Sequence, residues 1–391
     1  MGLRAGLARR LGASAPTPFD AREHRWVLEV ARHGPAPLRR RATLADDEPL
    51  AIAIVIPSFR QGSGGHATIA HLVRGLEARG HRLSLWLHDP SGQHTGDVGA
   101  LFTRFFGPVR ATVHADLQAW TDTDVVLATG WQTVHRVLRL PAAAARAYLV
   151  QDHEPEFYAT SAERLWAQET YRLGLHAITA GPWLAELMGS HYDAPATAFD
   201  LAVDHSVYGP REVPRRDDLV LFYCRAATPR RAVALGLMAL EELQRRRPDV
   251  EVALYGEPRE SVAGFPHANL GVLDAEALAG RYAQATVGMV LSLTNPSLIP
   301  FEMLACGLAC VDLDTPAMAM TFGAHGPVVL APPEPLHLCD AIEALLDDPH
   351  ARARRSQAGA QWVAPRTWSA AASQVEHGLR TALGTAQGAG G

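Results

Sequence analysis

Ala51-Ile52-Ala53-Ile54-Val55-Ile56, followed four residues later by Gln61-Gly62-Ser63-Gly64-Gly65-His66, decides the fold class. The first stretch has no polar side chain and the length of a strand. A run without alternation is what a strand buried on both faces requires. The glycines then permit a tight turn. A helix is expected from about Ala67 to Arg79, stopped by Gly80, since helices commonly end on a glycine in the left-handed region. His81 to His88 reads as the next strand, and Val125–Ala128 and Ala147–Val150 as later ones. Strands alternating with helices make an α/β chain with a parallel sheet.

The pattern repeats. Asp204 to Asp218 is polar and rich in Pro and Arg and reads as a linker; Leu219–Tyr223 then opens a second series, continued by Val252–Tyr255, Val287–Leu291 and Leu308–Leu313. A chain of 391 residues is expected to form two domains. The divisions are an Arg-rich extension over 1–46, an acceptor domain over 47–205, a donor domain over 206–366, and a closing segment over 367–391. That segment reads as an amphipathic helix from Trp368 to Leu383, packing back on the first domain, and a Gly/Ala tail. The architecture predicted is two Rossmann-like parallel-sheet domains facing each other across a cleft. Ligands belong at the carboxyl ends of the strands.

Composition narrows the function. The net charge of −5 argues against a nucleic-acid partner. No apolar run reaches the length of a membrane span. Met1 to Leu11 carries Arg4, Arg9 and Arg10 without an apolar stretch, so it is not expected to act as a secretory signal, and the chain reads as cytoplasmic. The extension, with Arg39, Arg40 and Arg41 and a helix over His24–Ala31, is expected to be a solvated arm. The alternative is peripheral docking on the acidic inner face of the membrane. All 36 basic residues are Arg, so any phosphate clamp is built from guanidinium forks and lysine Schiff-base chemistry is excluded. Cys224, Cys306, Cys310 and Cys339 read as buried free thiols. The eighteen histidines, His135, His176 and His191 among them, show no HExxH-like spacing, so neither metal nor cofactor is expected.

Four clusters carry candidate chemistry. The Gly-rich turn with Gly64, Gly65 and His66 opens a helix whose amide donors suit an anion. Cys224-Arg225-Ala226-Ala227-Thr228-Pro229-Arg230-Arg231 sets three guanidiniums at a strand end, a geometry suited to a diphosphate. Ser292 to Glu302 is a polar loop running into a helix near Pro300, with Glu302 in its first turn. It faces the cleft for ligand hydroxyls, or caps the helix. Asp152-His153-Glu154 ends a strand of the first domain, for an acceptor hydroxyl or for ion pairing with Arg172. Paired carboxylates also suit a glycosidase, which has no use for an Arg clamp. Trp131, Trp166 and Trp183 either line a sugar cleft or pack in the core.

These residues resemble the retaining GT-B glycosyltransferases of family 4. Arg225 matches that family's arginine, and Arg230 stands where it has a lysine. Glu302 with Ala305-Cys306-Gly307 matches the second half of its paired-glutamate signature, while Thr294 takes the place of the first glutamate. Val150–Tyr158, Glu169–Arg172 and Phe222–Arg231 are similar to the branch that transfers rhamnose from a dTDP-linked donor. The resemblance implies that Arg225 and Arg230 stabilise the departing diphosphate without a metal, with Arg231 beside them. It assigns the backbone at Ser297 and Leu298 to the same charge, Glu302 to the ribose, and Gly256 and the turn holding Val272 and Leu273 to the base. Gly64, Gly65 and His66 approach from the other domain, and Asp152 or Glu154 contacts the acceptor hydroxyl as a base. A nucleotide sugar as donor and a glycan or lipid-linked acceptor are implied partners. A UDP- or GDP-hexose transferase and a catalytically silent sugar-nucleotide scaffold are the alternatives.

Overall fold

The computed structural model describes residues 21–41, 45, 47–258 and 263–388. Its first sheet has seven parallel strands in the order β3-β2-β1-β4-β5-β6-β7. They are β1 (Ala51–Pro57), β2 (Arg82–His88), β3 (Thr112–His114), β4 (Thr123–Ala128), β5 (Ala143–Val150), β6 (His176–Ala180) and β7 (Ala196–Phe199). The second has six, ordered β10-β9-β8-β11-β12-β13: β8 (Leu219–Tyr223), β9 (Glu251–Tyr255), β10 (Ala268–Asn269), β11 (Val287–Met289), β12 (Ala309–Leu313) and β13 (Val329–Ala331). In each sheet the first strand in sequence lies inside, with the chain winding outward to either side. β1 pairs with both β2 and β4, and β8 with both β9 and β11. Each sheet therefore has a switch point beyond the carboxyl end of that strand, where a crevice opens. The Gly-rich turn follows β1 and the Arg-rich turn follows β8.

The helix after β1 runs from Gly64 to Ala78, three residues ahead of the expected start. Gly64, Gly65 and His66 form its first turn, and the reversal is left to Gly62 at φ +75°. Glycine's poor helix propensity hides this turn in the sequence.

The extension is docked, which corrects the expectation of a solvated arm for the residues described. Its helix spans Ala21–His33, and Trp26 takes the Arg136 guanidinium over its ring at 4.0 Å. The chain then follows the first domain, with Ala36 N donating to Leu138 O and Arg39 N to Ala143 O. Arg39 Nη2 donates to the buried Asp124 at 2.8 Å, and Arg41 pairs with the same carboxylate. Arg4, Arg9 and Arg10 lie outside the described residues.

The chain leaves the first domain near Val203 and returns at Thr367; these crossings pair side by side, Val203 N donating to Arg366 O at 3.0 Å. The last helix, Trp368–Gly388, packs on the first domain, where Ala371, Val375 and Leu379 join the core of β1 and β5. The approach is close at Gly75, where a Cβ would lie 2.5 Å from Ala372 Cβ. Gly75→Val should overpack this contact and lower stability by about 1–3 kcal/mol. The measurement is thermal unfolding, and an unchanged Tm would show that the helix is not seated there.

Candidate functional site

The Arg-rich turn leaves β8 at Tyr223 and passes through a short 3-10 turn, Pro229–Arg231, before Ala232 at φ +44° starts the helix Val233–Arg246. Its three arginines part company. Arg225 reaches across the cleft, Nη1 donating to Gly62 O at 3.2 Å. Arg230 also crosses: its Nε lies 3.0 Å from Asp152 Oδ2, and its guanidinium covers the Phe157 ring at 4.1 Å. Arg231 turns inward, where it is buried and donates to Ser292 Oγ at 2.8 Å. Beneath it Asp312 Oδ1 accepts from Ser292 N, and burial pushes that carboxyl up to about 7 despite Arg231.

Asp152 is buried at the end of β5, with Oδ1 accepting from His153 N at 2.9 Å and from Asn295 N, in the second domain, at 3.1 Å. Arg172 is not its partner; it pairs with Glu169 at 3.1 Å and covers the Tyr192 ring. Glu154 has both oxygens engaged inside the first domain. Oε2 accepts from Trp131 N at 2.8 Å and so caps the helix Trp131–Leu138; Oε1 accepts from the Tyr148 hydroxyl at 2.6 Å. Burial lifts its carboxyl to about 7 against the pull of those bonds. Trp131 is buried, Nε1 donating to Tyr158 OH, Trp166 leans against it, and Trp183 packs on the core.

Across the cleft Gly62, Gly64 and Gly65 are exposed. Gly65 sits against the Gln151 amide, where a Cβ would approach Nε2 to 3.4 Å. His66 does not share their exposure. Nδ1 lies 2.8 Å from Ser63 Oγ and Nε2 3.3 Å from Pro57 O, the ring stacks on Phe106, and burial lowers its pKa to about 4. It is neutral and holds the turn to β1.

The loop after β11 closes the site. Leu293 N donates to Arg230 O at 3.1 Å. Thr294 Oγ1, Asn295 Oδ1 and Ser297 Oγ are buried without a hydrogen-bond partner among the described residues. Leu298 precedes the helix Ile299–Ala305, and Glu302 in its first turn is partly exposed, yet desolvation raises its carboxyl to about 8. Gly256 at φ +99° lies against the Tyr223 ring, where a Cβ would come within 2.4 Å, and its N–H donates to Gly271 O. That bond ties the turn carrying exposed Val272 and half-buried Leu273 to the cleft. Sequence reading missed Asn295, Gly62 and Phe157; the Asn295-Pro296 pair after a buried strand was the available signal. Among the described residues, no group of three or more His, Cys, Asp and Glu side chains is placed to hold a metal, and no helix is long and apolar enough to cross a membrane.

Two Rossmann-like domains with opposed switch points define the GT-B fold. Residues 113–180 match the family model for the WsaF N-terminal domain, and residues 218–343 the model for the WsaF C-terminal domain. The O-antigen biosynthesis protein RfbC of Myxococcus xanthus is 30% identical over 403 residues, covering 95% of this chain. The chain spans 32% of that relative's length. Sucrose-phosphate synthase from Thermosynechococcus elongatus superposes with a TM-score of 0.63 at 16% identity, over 85% of this chain and 99% of that one. Anabaena Alr3699/HepE in complex with UDP gives 0.64 at 12% identity, over 85% and 100%.

The raised carboxyl of Glu154 sets a pH dependence. The folded state holds the proton more tightly than the unfolded chain, so this stability is complete below pH 4.5 and is lost as pH rises to about 7. The loss amounts to about 3 kcal/mol at most. Glu154→Gln can accept from Trp131 N and donate to the Tyr148 oxygen, and should make the fall in stability across this window shallower, leaving the part due to Asp312 and Glu302. Denaturant unfolding at several pH values checks it, and parallel wild-type and variant profiles would refute it.

Proposed function

We propose that this chain is a glycosyltransferase of polysaccharide or O-antigen synthesis. The donor nucleoside diphosphate sits between the Gly62–Gly65 turn and the paired guanidiniums of Arg225 and Arg230. The observation that carries this is that both arginines cross from the switch point of one sheet to the other domain, Arg225 onto the Gly-rich turn at its switch point and Arg230 onto Asp152 just after β5. Guanidiniums fixed there stabilise charge developing on a leaving diphosphate without reorganising. The relative named for O-antigen biosynthesis and the neighbour solved with UDP support the same reading.

In its finer form the reaction is retaining. The bond from the anomeric carbon to the β-phosphate oxygen breaks, and the acceptor oxygen bonds to the same face. The acceptor proton passes to the leaving phosphate, with Asp152 as the acceptor-side carboxylate. The donor is dTDP-β-L-rhamnose, with Glu302 on the ribose and Thr294 beside the transferred sugar. The acceptor is a glycan or a lipid-linked sugar, which places the enzyme at the inner face of the membrane. No metal takes part, because the clamp carries the charge a divalent cation would otherwise meet. A UDP-hexose donor is the second reading, favoured by the UDP complex of the structural neighbour.

Thermal-shift titration with dTDP, UDP and GDP tests the base, dTDP being expected to raise Tm most. A larger shift with UDP selects the second reading, and no shift with any of the three sinks the transferase. Arg225→Ala should weaken nucleotide binding at least tenfold, about 1.4 kcal/mol or more, and transfer should persist in EDTA. Full donor affinity in both Arg225→Ala and Glu302→Ala would mean that the nucleotide binds elsewhere.

A further inference from the structure

Asn295 belongs to the second domain, yet its side chain is spent on the first. Nδ2 donates to Gln151 O at 3.0 Å and to Ala180 O at 2.8 Å, carbonyls at the carboxyl ends of the neighbouring strands β5 and β6. Its backbone N–H donates to Asp152 Oδ1. The residue is 1% exposed. One nitrogen carrying two hydrogens thus meets two carbonyl oxygens at the carboxyl ends of adjacent strands inside the sheet.

The same loop reaches the other half of the interdomain ion pair, because Leu293 N donates to Arg230 O. Residues 293 and 295 thus grip the backbone of Arg230 and the carboxylate of Asp152, whose charged atoms stand 3.0 Å apart. The geometry points to Asn295 as the positioning residue for transfer: a clasp that closes the two domains and sets Asp152 against Arg230. This rests on reading the cleft as the transfer site. An aspartate at 295 would have no hydrogens for the two carbonyls and would add a negative charge beside Asp152. An alanine would leave both carbonyls buried and unserved.

The clasp acts on turnover rather than on donor affinity, since the hydrogen bonds of Asn295 go to Gln151, Asp152 and Ala180 and not to Arg225, Glu302 or the Gly-rich turn assigned to the donor. Asn295→Ala should lower kcat at least about tenfold, and Asn295→Asp about a hundredfold, with the donor dissociation constant changed less than about twofold. Equal losses in kcat and donor affinity, or an unchanged kcat, would overturn the assignment. Hydrogen exchange on the unliganded wild type supplies a readout independent of activity and of variant folding. The Asn295 amide should be strongly protected, and rapid exchange there would refute the clasp. Should the wild type neither bind nucleotide nor transfer sugar, the transferase reading falls, while the exchange experiment still decides whether Asn295 holds the domains together.

Discussion

Taking a carboxylate out of water costs several kcal/mol unless its charge is met by a partner and its oxygens by donors. Asp152 satisfies this demand from two domains at once. His153 serves it locally, while the Asn295 amide and the Arg230 guanidinium come from the other side of the cleft. The first domain therefore presents a carboxylate whose Oδ1 accepts two N–H donors and whose Oδ2 is ion-paired with the guanidinium of the other domain. The direction of Arg230, its cover over Phe157 and the course of the 293–295 loop follow from this one requirement. Any anion entering the cleft meets Arg230 already half neutralised, and Arg225 as the guanidinium whose contact there is a backbone carbonyl.

The titratable groups around this pair are tuned toward neutrality. Burial raises Glu302 to about 8 and Glu154 to about 7, and lowers His66 to about 4. Near neutral pH Glu302 and His66 are therefore mostly uncharged and Glu154 is about half ionised, while Arg225, Arg230 and Asp152 are the charged groups that meet across the cleft. Polar groups that stay uncharged, such as the unpartnered hydroxyls of Thr294 and Ser297, suit a ligand bearing hydroxyls rather than a second charge.

The architecture was legible because β1 and β8 are unbroken apolar runs followed by turn-forming residues, a local signal that burial on both faces imposes. What failed to show were directions and distant partners. Arg230 and Arg231 are neighbours in sequence, yet one faces the cleft and the other Ser292, 61 positions away; the 3-10 turn that holds both sends their side chains in different directions. Glu154 stands two residues from Asp152 but points to a helix start that only the folded domain brings near. Asn295 was invisible as a contact because its acceptors lie 144 and 115 positions earlier. The Arg-rich extension looked solvated for the same reason: its counter-charge, Asp124, comes 85 positions after Arg39.

The last helix adds a constraint of another kind. Ala371, Val375 and Leu379 belong to the same buried cluster as Ile54 and Leu149, so the first domain's core is completed by residues translated after the whole second domain. In topology the second domain is an insertion into the first. During synthesis from the N-terminus, β1 through β7 emerge as a sheet with one flank unsealed, while the second domain has its own six strands together before Trp368 appears. The order of translation is thus the reverse of the order of completion: the domain made second can close first, and the domain made first waits for the final helix to cover it.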